Sequence, residues 1–174
     1  APPWGWQDNL PMVNVTFQEA QEYAMWAGGR LPTEAEWEKA ARGNDARKYP
    51  WGDTWDVKKC NSLESGFRKP VAVGSYPDSA SLYGAEDMLG NVFEWCADWY
   101  VAAYYWESPK VNPKGPDTAP PAEKNYGVAP SRTIRGGSFA TESAKVYASY
   151  RLPGNPVQRS EQRGFRVVIP EAKQ

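Results

Sequence analysis

Two carboxylates on either side of a glycine are the residues of this chain best suited to chemistry. Asp87 and Glu94 stand in the pattern Asp-x-x-Gly-x-x-x-Glu, with Gly90 between them. Calcium prefers carboxylate and backbone carbonyl oxygens, and a glycine permits the tight turn that directs carbonyls inward. The spacing is therefore consistent with a small oxygen-lined site for a divalent cation.

Glu94 also permits an interpretation that needs no metal. It lies between Phe93 and Trp95, so its surroundings are expected to be apolar, and a buried carboxylate requires a partner. An arginine such as Arg135 or Arg166 would supply one. On the residues alone the arginine partner is favoured over the metal, and both alternatives remain open.

Composition restricts the classes of function. The chain has 174 residues, a net charge of -1 and a mean hydropathy of -0.71, which predicts a single soluble domain over residues 1–174. The charge argues against a nucleic-acid partner, and no apolar run reaches the roughly 20 residues of a membrane span. Histidine is absent, which excludes a histidine-ligated metal and a histidine general base within this chain. Cys60 and Cys96 are far apart, which favours two buried free thiols over a disulfide.

Two helices are predicted near the start of the chain by matching capping boxes. The first is expected to begin near Thr16, where Thr-Phe-Gln-Glu is followed by apolar residues at helical spacing, and to end before Gly28. The second is expected to begin at Thr33, to place Trp37 on its apolar face, and to end at Gly43. We expect these two helices to position any functional site formed by the rest of the chain.

Strand signals are sparse and separated by irregular segments. Residues 91–100 alternate well enough for a strand, and residues 133–139 and 165–169 are also predicted to be extended. Residues 107–131 contain many prolines and are expected to form a long surface loop. Residues 140–163 are polar and are predicted to be irregular.

Five short blocks occur in a fixed order and carry a family resemblance. They are Arg30-Leu-Pro-Thr-Glu-Ala-Glu-Trp37, Tyr49-Pro-Trp-Gly52, Gly90-Asn-Val-Phe-Glu-Trp95, Arg135-Gly-Gly-Ser138 and Gly164-Phe-Arg166. Together they resemble the formylglycine-generating enzyme (sulfatase-modifying factor) family. The resemblance implies an α+β domain with a variant of the C-type lectin fold, in which two helices accompany a small mixed or antiparallel sheet and much irregular loop. Family members usually carry a further N-terminal stretch before residues 11–15. It is absent here, so the resemblance does not predict which strand forms the edge of the sheet.

The resemblance also implies one or two calcium sites. At the first, the ligands would be the side chains of Asp87 and Glu94 and the carbonyls of Gly90 and Val92. At the second, they would be the side chains of Asn61 and Glu64 and the carbonyls of Ser62 and Phe67. An Asn/Gly turn held by side-chain hydrogen bonds is the alternative for this second segment. Calcium would favour a location outside the cytoplasm, on which the sequence is otherwise silent.

A pair of catalytic residues is missing from the position that the resemblance assigns to it. Catalytic members oxidise a substrate cysteine to formylglycine with two cysteines and copper, and these two positions fall on Thr141 and Val146. Neither side chain provides the thiolate that Cu(I) prefers, so no copper is expected and a divergent oxidase is disfavoured. A related branch of iron-dependent sulfoxide synthases needs a histidine-bearing helical domain, which this chain lacks.

A non-catalytic binding module is the function that the resemblance then favours. The family includes the variable proteins of diversity-generating retroelements, and residues 139–163 are rich in the Tyr, Ser, Asn and Arg of antibody-like surfaces. We therefore expect a protein or other ligand to bind there. The residues predicted to bind it are Phe139, Thr141, Glu142, Tyr147, Tyr150, Arg151 and Arg159. Arg151 is alternatively a structural partner for a buried carboxylate, and a solvated loop or a structural domain of a larger assembly are further alternatives.

Overall fold

The computed structural model describes residues 1–170, in which two helices pack on a four-stranded mixed sheet. The helices are α1 (Phe17–Trp26), α2 (Glu34–Arg42) and the single turn α3 (Tyr104–Glu107). The strands are β1 (Phe93–Trp99), β2 (Arg132–Arg135), β3 (Arg151–Gly154) and β4 (Arg163–Gly164). The sheet order is β3-β2-β1-β4, antiparallel except for the β1–β4 pair. The predicted α+β class with a small mixed sheet is confirmed.

Capping boxes fix the first residue of both long helices, as predicted. The hydroxyl of Thr16 accepts from the amide of Glu19, whose carboxylate accepts in return from the amide of Thr16 at 2.9 Å. Thr33 and Glu36 repeat this arrangement at the start of α2. Gly43 caps the end of α2 at φ 68°, a left-handed value that glycine adopts without strain.

Strand β1 separates two apolar clusters. Successive side chains of a strand point to opposite faces, and Trp95 and Cys96 accordingly enter different clusters. Trp95 packs with Phe17 of α1, whereas Cys96 packs with Trp37 of α2. One helix therefore covers each face of the central strand. Helix α2 lies on the side of Arg135, the first residue of the Arg-Gly-Gly-Ser block, whose guanidinium is 5.1 Å from the Trp37 ring centroid.

The other strand predictions need correction. Residues 133–139 form a strand only as far as Arg135, because Gly136 and Gly137 take φ values of 95° and 81° and end it. The predicted strand over residues 165–169 is wrong, since pairing with β1 occurs at Arg163–Gly164 and Val168 makes only an isolated bridge to Arg30.

The segment predicted to be irregular, residues 140–163, contains strand β3. Its residues pair with all four residues of β2, from Arg132 opposite Gly154 to Arg135 opposite Arg151. The segment 140–163, predicted to be irregular, is therefore joined to the sheet through the strand near its middle.

Both cysteines are buried free thiols, as predicted. Burial raises the pKa of the Cys60 thiol to about 12 and that of the Cys96 thiol well above its usual value. Among residues 1–170, no helix is both long and apolar enough to cross a membrane.

Candidate functional site

Thr141 and Val146, to which the resemblance assigns the two catalytic cysteine positions, lie close together. A β-carbon at Gly137 would lie 3.2 Å from Cγ2 of Val146 and 3.7 Å from Cβ of Thr141, so both side chains border the same glycine. Val146 is fully buried in the cluster with Trp37. The pair therefore presents methyl groups and one hydroxyl, and no thiol, beside Gly137.

The Thr141 hydroxyl is engaged in a local polar network. It accepts from the amide of Ser138 at 2.9 Å and lies 3.1 Å from the Ser138 hydroxyl, which donates to Gln162 Oε1 at 2.9 Å. The Thr141 carbonyl accepts from the amide of Leu63 at 3.0 Å. These bonds hold the Thr141 side chain in place and join the segment after β2 to the loop that begins at residue 61.

Glu64 makes a second link between these two loops. Its carboxylate accepts from the amide of Ser143 at 2.7 Å and from the hydroxyl of Ser62 at 2.8 Å. Burial alone would raise the pKa of the Glu64 carboxyl, but the hydrogen bonds from Ser143 and Ser62 lower it below its usual value. The carboxylate is thus kept ionised beside the segment predicted to bind a ligand.

Two of the residues predicted to bind a ligand are part of the scaffold. Phe139 is 6% exposed and packs edge-to-face on Trp4, with ring centroids 5.8 Å apart. Arg151 donates through Nε and Nη2 to the carboxylate of Glu34 at 2.7 and 2.6 Å. Arg151 is therefore a structural partner of the buried Glu34 carboxylate, which is the alternative considered for it from the sequence.

The remaining predicted ligand residues divide into two groups. Tyr147 and Tyr150 are half-buried and pack against each other with centroids 5.4 Å apart, and Glu142 is exposed on the same segment. Arg159 lies elsewhere, because its guanidinium binds the carbonyl of Asn14 and the carboxylate of Glu19 at the start of α1. The segment from Thr141 to Tyr150 is the continuous part of the predicted surface.

A buried ionic network lies beneath this segment and was not predicted as a whole. Glu34, 1% exposed, faces Arg151 and also Arg135, whose Nη1 is 3.4 Å from Glu34 Oε1. Arg135 is fully buried, and its Nη2 binds Glu38 one turn along α2. The sequence signal for Glu34 was its place one helical turn before Trp37, on the apolar face of α2.

The arginine partner anticipated for Glu94 is Arg166. The Arg166 guanidinium donates to both oxygens of Glu94, at 2.5 and 2.7 Å, and Trp37 Nε1 donates to one of them at 2.7 Å. Burial lowers the pKa of the Arg166 guanidinium, but the charges of Glu94 and Asp87 raise it by more. Arg135, the other arginine considered, pairs with Glu34 and Glu38 instead.

Asp87 has one carboxylate oxygen without a hydrogen-bond partner among residues 1–170, whereas both oxygens of Glu94 accept hydrogen bonds. One carboxylate oxygen of Asp87 accepts from the amide of Gly74 at 2.7 Å, and Asp87 takes part in no ion pair among residues 1–170. Its φ of 54° is unusual for a residue other than glycine. Within residues 1–170 no three His, Cys, Asp or Glu side chains form a metal-holding group, so calcium would depend on backbone carbonyls such as those of Gly90 and Val92. Glu94 is occupied by Arg166 and Trp37, so of the two predicted carboxylates Asp87 is the one left to contribute, and calcium stays a prediction.

The second predicted calcium segment is already held by its own hydrogen bonds. Asn61 and Ser62 are buried, and the Ser65 hydroxyl lies 2.8 Å from Oδ1 of Asn61 and 2.6 Å from the Ser62 carbonyl. Phe67 is 53% exposed beyond a left-handed Gly66. The hydrogen-bonded turn considered from the sequence is present, and calcium here also remains a prediction.

The small mixed sheet with one helix on each face and long irregular loops defines a domain with C-type-lectin-like architecture. Residues 3–170 match the Sulfatase-modifying factor enzyme 1-like domain family, and the chain belongs to that family. The resemblance stated from the five sequence blocks is confirmed.

Curated relatives with this domain have different activities. The chain is 38% identical to a formylglycine-generating enzyme of Streptomyces coelicolor, covering 91% of this chain and 52% of that protein. It is 37% identical to a hercynine oxygenase of Mycolicibacterium thermoresistibile, covering 91% and 35%. It is 40% identical to the serine/threonine-protein kinase Pkn1 of Chlamydia trachomatis, covering 90% and 24%. The chain thus spans about half or less of the length of these relatives.

Solved structures with the same fold include PvdO and two variable proteins. PvdO from Pseudomonas aeruginosa superposes with a TM-score of 0.78 at 26% identity, covering 96% of this chain and 64% of its own. Treponema denticola variable protein 1 superposes at 0.75 and 22% identity, covering 96% and 74%. The Major Tropism Determinant P3c variant superposes at 0.54 and 15% identity, covering 87% and 36%. The two variable proteins share the fold alone.

Proposed function

We propose that this chain is a non-catalytic ligand-binding module built on a formylglycine-generating-enzyme scaffold. The observation that supports this most is the pair at Gly137, where Thr141 and Val146 leave no thiol to bind copper or to attack a substrate. Cys60 and Cys96 do not replace it, because both are buried thiols whose pKa values burial raises. A module of this kind retains the fold and uses its surface for recognition.

The recognition surface we propose is the segment from Thr141 to Tyr150, named here the 141–150 surface. It is carried on β2 and β3, two paired strands, and loops on a rigid frame are where binding residues concentrate. Glu142 and Ser149 are exposed on it, and the tyrosine pair Tyr147 and Tyr150 supplies rigid aromatic area. The fold shared with two variable proteins is in keeping with this role, and the partner expected is a protein or other ligand.

A divergent oxidase is the second candidate, and the identity to a formylglycine-generating enzyme is the observation that favours it. One assay distinguishes the oxidase from the non-catalytic binding module. The purified chain is incubated with copper and a cysteine-containing sulfatase peptide, and the peptide is followed by mass spectrometry. We expect the thiol to remain; its conversion to an aldehyde would establish the oxidase and remove the proposal.

Recognition through the 141–150 surface is tested by blocking it. Glu142→Arg places a bulky opposite charge at an exposed position that makes no contact with the core. Retention of the native partner, captured from the source organism by the wild-type chain, is expected to fall at least about tenfold with an unchanged melting temperature. The matched control is Glu123→Arg, an exposed glutamate outside the surface. Equal retention by the two variants would place recognition elsewhere.

Calcium is proposed as a stabiliser of the loop that carries Asp87. A metal that binds only the folded chain stabilises it by mass action, about 2.7 kcal/mol at a hundredfold excess over Kd. We expect chelation to lower the melting temperature of the wild type and to leave Asp87→Asn unaffected. Asp117→Asn, at an exposed loop position, should keep the calcium response. A wild-type melting temperature that is the same in calcium and in chelator would eliminate the site.

A further inference from the structure

A groove distinct from the 141–150 surface lies between α1, α2 and the loop at residues 112–114. Its volume is about 830 Å³, within the range of small-molecule sites. One part of its lining is apolar and includes Phe17, Met25 and Pro113. Another part is basic and includes Lys39, Lys114 and Arg132. None of its lining residues belongs to the 141–150 surface.

Arg132 is held in this groove by stacking rather than by an acid. Its guanidinium lies between the rings of Phe17 and Trp99, 4.2 and 3.6 Å from their centroids, and Nη1 donates to the carbonyl of Ala97 at 2.5 Å. Its Nε is buried and has no hydrogen-bond partner. Burial lowers the pKa of the Arg132 guanidinium, and the charge of Asp98 offsets only part of that effect. A half-buried cation without an acidic partner is stabilised when a hydrogen-bonding anion is supplied.

The other charges of the groove leave a cationic excess. The lining has four cationic side chains and one carboxylate, Glu36. Glu36 is taken by Arg30 through two hydrogen bonds of 2.6 and 2.7 Å. Lys39, Lys114 and Arg132 take part in no ion pair among residues 1–170. Three cations without acidic partners therefore border the groove, in a chain whose net charge is -1. Of these, Lys39 has its ammonium 5.7 Å from the ring centroid of Tyr83, which lies outside the lining.

We propose that this groove binds a small organic carboxylate with an apolar body. The carboxylate would accept a hydrogen bond from Nη2 of Arg132, which has no hydrogen-bond partner among residues 1–170, and the two lysines would add charge at the rim. The apolar body would lie against Phe17, Met25 and Pro113 and be removed from water. Charge and shape together select an amphiphilic anion over a simple inorganic one, which would leave the apolar wall unfilled.

The test uses three eight-carbon probes that differ in their head group and a second carboxylate with an aromatic body. Octanoate, 4-phenylbutyrate, octylamine and octanol are titrated, below their aggregation concentrations, into the ¹⁵N-labelled chain, and amide shifts are followed by NMR. We expect saturable binding of the two carboxylates, with the largest shifts at Met25, Ala97 and Arg132. Octanoate should bind at least about tenfold more tightly than octanol, and octylamine should not bind. Failure of both carboxylates, or equal affinity for octanol, overturns the proposal.

Variants assign the contribution of charge without disturbing the stacked arginine. Lys114→Gln and Lys39→Gln change exposed side chains and should each weaken octanoate binding at least about threefold. Lys110→Gln, an exposed lysine of the same loop outside the groove, is the matched control and should leave the affinity unchanged. Equal affinities for the three variants would show that the groove cations do not hold the carboxylate and would overturn the assignment.

Discussion

Replacing Glu34 by glutamine is expected to lower the free energy of unfolding by about 3–5 kcal/mol. The substitution keeps the size of the side chain but removes the charge that the buried Arg135 and the partly buried Arg151 face together. Breaking a buried ion pair leaves uncompensated charge in the interior, which is strongly destabilising. Urea unfolding of the two proteins, followed by circular dichroism, measures the difference.

Glu36→Gln is the matched control for this experiment. Glu36 lies two residues further along α2 and is also paired with an arginine, Arg30, but both side chains are nearly half exposed, at 44% and 48%. Exposed pairs contribute about 0–1 kcal/mol, and glutamine can still serve the capping box. If Glu34→Gln and Glu36→Gln lose similar stability, the buried network is not the element that the geometry indicates.

A single methyl group at Gly90 is expected to destabilise the protein by about 2–5 kcal/mol. The residue has φ 72°, and an added β-carbon would lie 2.4 Å from the backbone carbonyl oxygen of Asn61. That carbonyl accepts from the amide of Asn91 at 2.8 Å, so it cannot move away without losing a hydrogen bond. The left-handed conformation costs about 1–2 kcal/mol for a residue with a β-carbon, and overpacking adds about 1–3 kcal/mol.

Gly84→Ala separates the two parts of this effect. Gly84 has nearly the same φ, 74°, but open space surrounds the position of its β-carbon. Gly84→Ala should therefore cost about 1–2 kcal/mol, the conformational part alone. Unfolding midpoints in urea compare the two variants, and equal losses would mean that the close approach of Asn61 carries no energetic weight.

The helices were predictable because their signals are local. In each capping box a threonine and a glutamate three residues later bond each other's backbone, so Thr16 and Thr33 mark the helix starts without reference to the rest of the chain. Gly43 marks the end of α2 for a similarly local reason, its positive φ.

Strand β3 was missed because its residues are not those of a typical strand. It contains Pro153 and Gly154, which usually indicate turns. Proline is tolerated here because β3 is at the edge of the sheet, where one side of the strand needs no amide donor. Gly154 is required because a β-carbon there would lie 2.6 Å from the Trp95 ring, a contact that only the folded sheet creates.

The candidate site was partly predictable for a different reason. The register from Arg135 located Thr141 and Val146, and the structure places both beside Gly137. An arginine partner for Glu94 followed from the cost of burying a lone carboxylate, and Arg166 supplies it. The choice between Arg135 and Arg166 depends on distant pairing of the chain, and so does the role of Glu34, which sequence reasoning left unassigned.

The long sequence separation within the buried ionic network has a consequence during protein synthesis. Glu34 and Arg151 are 117 residues apart, so a ribosome that has released α2 must add over a hundred residues before this charge is matched. At about 5–20 residues per second this takes several seconds or more, during which the nascent chain keeps its carboxylate in water. Pairing of β1 with Arg163–Gly164 comes later still. The two helices can form early, but the domain closes as a unit only when nearly all of it has been translated.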